Sequence, residues 1–63
     1  MKYKLQAKRV EKGIKQKDLA KQLGITQQYL CKLEKGKIEP RRNLMISISK
    51  ILNTDVKKLF FED

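Results

Sequence analysis

The sequence contains no histidine, and Cys31 is its single cysteine. One thiol cannot form an internal disulfide. One thiol with scattered carboxylates also cannot assemble a zinc site of nitrogen and sulfur ligands. Metal-dependent folding and most hydrolytic chemistry are set aside, and no metal site or cofactor is expected. Repeats, low-complexity runs and a Pro/Gly/Ser-rich linker are lacking too. No apolar stretch approaches the roughly 20 residues that a membrane span needs. The start, Met1-Lys2-Tyr3-Lys4, is basic, but neither an apolar signal region nor a small-residue cleavage site follows it. A cytoplasmic, unprocessed chain without membrane association is the expectation. The 63 residues make one domain, 1–63. A domain of that size buries only about 60% of the surface its unfolded chain exposes. Dimerisation or a bound partner would help so small a core. There is no room for a small-molecule ligand domain, so control is expected through concentration, a partner or competition for sites.

What the chain does have is positive charge, unevenly placed. Sixteen Lys and Arg stand against seven Asp and Glu, a net +9. Residues 1–43 hold 13 basic and 4 acidic side chains, whereas residues 44–63 hold 3 of each, so all the net charge lies in the first two-thirds. A concentrated positive field suits a polyanion, either nucleic acid or an anionic membrane surface.

The apolar pattern predicts five short helices and no strand. The first runs from about Tyr3 to Lys12, with Leu5 and Val10 as inward contacts, and Gly13 stops it. In the second, about Gln16 to Leu23, the residues Leu19, Ala20 and Leu23 form a stripe with i, i+3, i+4 character. Gly24 ends it, and Thr26 is placed to cap the next helix. The third spans about Gln27 to Lys35, burying Leu30 and Leu33, and Gly36 ends it. Residues 37–40 form a loop, because Pro40 keeps its predecessor out of the helical region. The fourth covers about Arg42 to Leu52, with Met45, Ile48 and Leu52 inward and Asn53 at its end. Asp55 then caps a last turn, Val56 to Phe60. The fold class is all-α, a compact five-helix bundle.

The second and third helices carry a particular spacing. Two helices joined by a turn of about 3–4 residues cross at about 90–120°. A small side chain is needed at that crossing, and Ala20 supplies it. The turn needs a residue free to take positive φ, and Gly24 supplies that. Leu19, Leu23, Ile25, Leu30 and Leu33 then fill the wedge. This joint pattern resembles the helix-turn-helix domain of phage repressors, Cro proteins and related bacterial regulators. The matching residues are Arg9, Lys12-Gly13-Ile14, Gln16, Asp18-Leu19-Ala20, Leu23-Gly24-Ile25-Thr26, Leu33-Glu34-Lys35-Gly36-Lys37, Pro40 and Leu52. The closing Leu59-Phe60 also fits, so the resemblance covers about Leu5 to Phe60.

The resemblance implies a lambda-repressor-like bundle whose third helix enters the major groove of double-stranded DNA. The residues it places against base edges are Gln27, Gln28 and Lys32. A glutamine amide sets a donor beside an acceptor, matching adenine N6 and N7, and a lysine can donate to guanine. Read without the family, the two glutamines are polar first-turn residues of an exposed helix. The family uses the position of Gln16 to hold a phosphate and to brace the reading glutamine. Lys15, Tyr29, Lys35, Lys37, Arg41 and Arg42 are further candidates for phosphate contact, each with a solvated basic surface as the plainer reading. Arg9 and Glu34 match the family's paired arginine and glutamate, read here as architectural.

Three positions depart from the family pattern. Lys15 stands where Ser or Thr usually caps the second helix, and Arg41 and Arg42 replace a polar cap and an apolar residue. Cys31 follows Gln27 by four residues, facing near the groove, and is read as a small helix residue rather than a redox switch. The function implied is a DNA-binding transcriptional regulator, a repressor, that reads a near-palindromic operator as a homodimer. Its dimer surface is expected in the neutral C-terminal third, with Phe60 and Phe61. A membrane-surface peptide is disfavoured because Gly13, Gly24 and Gly36 cut every helix short. A protein-interaction accessory factor, antitoxin-like or phage-borne, is the alternative use of the same fold. Neither a nucleophile–base pair nor a phosphate-cradling glycine loop is found, and no enzymatic activity is expected.

Overall fold

The computed structural model describes residues 3–61. Its helices are α1 (Leu5–Glu11), α2 (Gln16–Leu23), α3 (Gln27–Glu34), α4 (Arg42–Leu52) and α5 (Lys57–Phe61), the last a single turn of π-helical winding. Among the described residues there is no strand. The five-helix, all-α expectation holds, with ends moved by one or two residues at α1, α3 and α5.

The sharp connections come from one repeated device. At the end of α2, Gly24 takes φ 72° and ψ 29°. Its N–H donates to the Lys21 carbonyl at 3.2 Å, and the next N–H, of Ile25, reaches back to Ala20 at 3.0 Å. These two bonds satisfy carbonyls that a helix end would otherwise leave open. They also turn Ile25 back against the core. The same pair of bonds closes α1 through Gly13 and Ile14, α3 through Gly36 and Lys37, and α4 through Asn53 and Thr54. Asn53 does so at φ 49°, a conformation that asparagine tolerates better than most side chains.

All five helices feed one core. Leu5, Leu19, Ala20, Leu30, Leu33, Ile48, Leu52, Leu59 and Phe60 are buried together. The C-terminal turn closes the bundle against the chain start. The Lys4 N–H donates to the Leu59 carbonyl at 3.0 Å, and the Tyr3 and Phe60 rings meet edge to face at 5.2 Å. Two side chains sit differently from expectation. Val10 is 61% exposed rather than inward, because Leu5 and Arg9, four residues apart, occupy the buried face of α1. Phe60 is a core residue, 6% exposed, and is not available to a second copy, whereas Phe61 is 67% exposed. Asp55 begins the last turn through its main-chain carbonyl, which accepts from the N–H groups of Lys58 and Leu59.

Candidate nucleic-acid interface

The candidate surface is built on the first turns of α2 and α3. Thr26 fixes where α3 starts: its hydroxyl oxygen accepts the Tyr29 N–H at 3.0 Å. Such a cap contributes about 1 kcal/mol and holds the first turn in register. Gln27 and Gln28 follow at once and are exposed, as is Lys32 one turn later. Leu30 and Leu33 on the opposite face of α3 are buried, so the outward set is fixed by the inward one. α2 starts at Lys15 without a side-chain cap, so its first N–H groups have no capping side chain as acceptor. Helix starts of this kind favour an anion.

Behind this surface lies a buried ion pair. Arg9 is 7% exposed and Glu34 1%. The Arg9 Nε donates to Glu34 Oε2 at 2.6 Å, and Nη2 donates to Oε1 at 3.2 Å, a two-pronged pairing. Arg9 Nη1 donates to the Ile14 carbonyl at 2.8 Å. The pair ties α1 to the end of α3, across 25 positions of chain. No buried side-chain nitrogen or oxygen among the described residues is left without a partner.

The ion pair extends outward through Gln16, whose bond to Glu34 was not anticipated, whereas its brace to Gln27 is the one the family resemblance implied. Gln16 Nε2 donates to Glu34 Oε1 at 2.9 Å, and Gln27 Nε2 donates to Gln16 Oε1 at 3.3 Å. A continuous chain therefore runs from Arg9 through Glu34 and Gln16 to Gln27 at the surface. Nothing in the spacing of positions 16 and 34 signals that contact, since it depends on how α2 crosses α3.

All but Lys15 and Arg42 of the DNA-contact candidates singled out from sequence line one of two hollows. Gln16, Gln27, Gln28 and Lys32 line the first together with half-buried Cys31 and with Lys35 and Lys37. Three of these seven side chains are cationic and none is acidic. Tyr29 and Arg41 line the second, on the other side of α3's first turn, with Leu23, Ile25 and Leu44. Asn43 lines it as well and was not anticipated; its place in the first turn of α4, beside Arg41, was the available signal. Lys15 and Arg42 are exposed at the starts of α2 and α4. Arg41, at the N-cap of α4, makes no side-chain capping bond, so that helix start is open as well.

Among known proteins, the helix-turn-helix family model matches residues 5–59 of this chain. An uncharacterized HTH-type transcriptional regulator of Methanocaldococcus jannaschii is 38% identical over 64 aligned positions, covering 100% of this chain and 97% of that protein. A 10 kDa protein of the ImmF control region of Bacillus phage phi105 is 36% identical, over 82% of this chain and 58% of the phage protein. Among solved structures, the clp gene regulator ClgR of Corynebacterium glutamicum superposes with a TM-score of 0.79 at 31% identity. That match takes in 82% of this chain and 55% of ClgR, so the chain spans only about half of that protein.

Proposed function

This chain belongs to the helix-turn-helix family, and from that premise we propose that it is a sequence-specific regulator of transcription that binds duplex DNA. In this reading it represses from near-palindromic operators, as a homodimer and a single cytoplasmic domain. The observation that carries the proposal is the Gln16–Gln27 amide pair at the exposed start of α3, in a hollow it shares with three lysines.

α3 lies in the major groove with its N-terminal turn against the base edges. Gln27 and Gln28 meet adenine, and Lys32 donates to guanine. Each well-placed pair is worth about 1–3 kcal/mol of discrimination against the wrong base. Gln16 and the open start of α2 take a phosphate, while Lys35 and Lys37 follow the backbone on one side and Tyr29, Arg41 and Asn43 on the other. Lys15 and Arg42 add to that charge. Phosphate contacts set register and affinity, and the amides set sequence.

One α3 reads too few bases for an address in a genome, and two copies reading successive major grooves, about 34–36 Å apart, resolve this. The dimer surface proposed is the neutral C-terminal third around Phe61, which stands 67% exposed. With Phe60 committed to the core, that contact is smaller than the sequence led us to expect.

The test is selection from a randomised duplex pool at about 150 mM salt, where non-specific phosphate binding is weakened. The expected result is one inverted-repeat motif, bound by two protomers. Recovery of no motif by folded protein would sink the reading and turn the search to a protein partner.

A further inference from the structure

We infer that Glu34 is a positioning residue that makes Gln27 select adenine over guanine. The inference rests on the reading of α3 as the base-contacting helix, and it gives the buried ion pair a role in specificity as well as in folding.

The polarity of the hydrogen bonds sets the direction of each amide. A carboxylate only accepts. Glu34 Oε1 accepts from Arg9 Nη2 at 3.2 Å and from Gln16 Nε2 at 2.9 Å. Gln16 must therefore turn its NH2 inward, which leaves its carbonyl oxygen facing Gln27. That oxygen in turn requires a donor, and Gln27 Nε2 supplies it at 3.3 Å. One of the two Gln27 N–H groups is thus occupied. What remains for DNA is one N–H and one carbonyl oxygen.

This remainder distinguishes the purines. In the major groove adenine presents the N7 acceptor beside the N6 donor, whereas guanine presents two acceptors, N7 and O6. The tethered amide matches adenine with both of its free groups. To satisfy guanine it would need both N–H groups, and one is held by Gln16. A glutamine free of this tether can turn its whole NH2 to guanine. The direction of each amide traces back to the carboxylate, which is buried to 1% exposure and cannot reorient. Arg9 holds it on the opposite side through Nε at 2.6 Å.

The experiment measures the adenine-to-guanine ratio, at the operator position that Gln27→Ala blurs, by selection and by competition binding. Wild type is expected to prefer adenine by about tenfold or more, the range of a good bidentate pair. In Glu34→Gln the side chain at 34 can offer either a donor or an acceptor to Gln16, both amides lose their fixed direction, and the ratio is expected to fall to about twofold. Because Glu34→Gln strands the Arg9 charge, the double variant Arg9→Met/Glu34→Leu removes the anchor without leaving a buried charge. Its ratio is expected to fall in the same way. Ile48→Val, a core change on α4, serves as the stability control and is expected to keep the wild-type ratio.

An unchanged ratio in the folded double variant would overturn the inference while leaving α3 as the reading helix. So would guanine at the Gln27 position in wild type. If wild type yields no motif, the reading beneath the inference has failed, and the inference falls with it.

Discussion

Replacing Glu34 with alanine is the sharpest perturbation of the fold. The substitution removes both acceptors of Arg9 Nε and Nη2 and the acceptor of Gln16 Nε2. Arg9 stays at 7% exposure, with only the Ile14 carbonyl at 2.8 Å left to it. Stranding one member of a buried pair costs about 3–5 kcal/mol. A domain of this size has roughly 3–9 kcal/mol in total, at about 0.05–0.15 kcal/mol per residue. Glu34→Ala should therefore be substantially unfolded in buffer, and Arg9→Ala nearly as much. The double variant Arg9→Met/Glu34→Leu leaves no buried charge, and such replacements are often neutral or stabilising. Its losses are the Arg9 bond to the Ile14 carbonyl and the Gln16 bond to Glu34, about 0.5–1.5 kcal/mol each. The assay is urea unfolding followed by far-ultraviolet circular dichroism on these proteins, with Arg9→Met and Glu34→Leu added as the single members of the cycle. A coupling energy above about 2 kcal/mol is expected from the cycle, since contacting charged groups couple by about 0.5–3 kcal/mol or more. Single variants that each lose less than about 1 kcal/mol would refute the reasoning, because that is the worth of a solvated surface pair.

Three further outcomes follow from the geometry. Gly24→Ala meets no atom within 4 Å of the added Cβ, so its cost comes from φ +72° alone. That strain is about 1–2 kcal/mol and should lower Tm by several degrees in a thermal melt, and an unchanged Tm would contradict it. Lys37→Ala should weaken binding evenly across sequences and reduce the slope of log K against log salt by about 1, whereas a sequence-dependent loss would mean that it reads bases. Cys31, half-buried in the hollow that Gln27 and Gln28 also line, should react with a maleimide in free protein and be shielded by operator duplex. Equal labelling rates with and without DNA, followed by mass spectrometry, would place the groove elsewhere.

Much of this fold could be read from sequence, and the exceptions share a cause. α2 and α3 were legible because Leu19, Ala20, Leu30 and Leu33 repeat at helical spacing between strong stop signals, Gly24 and Gly36. The Thr26 cap was legible because a hydroxyl just before a helix has one dominant use. Val10 was misplaced because a buried arginine held the inward position, and hydropathy alone cannot see that Arg9 has a partner 25 positions away. Phe60 and Phe61 are adjacent at the chain's last turn, where one turn is too short for periodicity to say which ring faces in. At the candidate site, the residue types followed from the family resemblance. The Glu34–Gln16 bond did not, because it is set by the crossing of α2 and α3 rather than by any local pattern.

The proposed contact of Gln27 with an adenine in the major groove is tested most directly by removing a single DNA atom. Once a selected site is in hand, 7-deazaadenine can replace each adenine in turn, deleting the N7 acceptor while leaving Watson–Crick pairing intact. Wild type is expected to lose about 2- to 12-fold in affinity at one adenine per half-site, the worth of one hydrogen bond. Gln27→Ala should bind the natural and the substituted duplex equally at that position. The same loss in both proteins, or no loss in wild type at any adenine, would contradict the account.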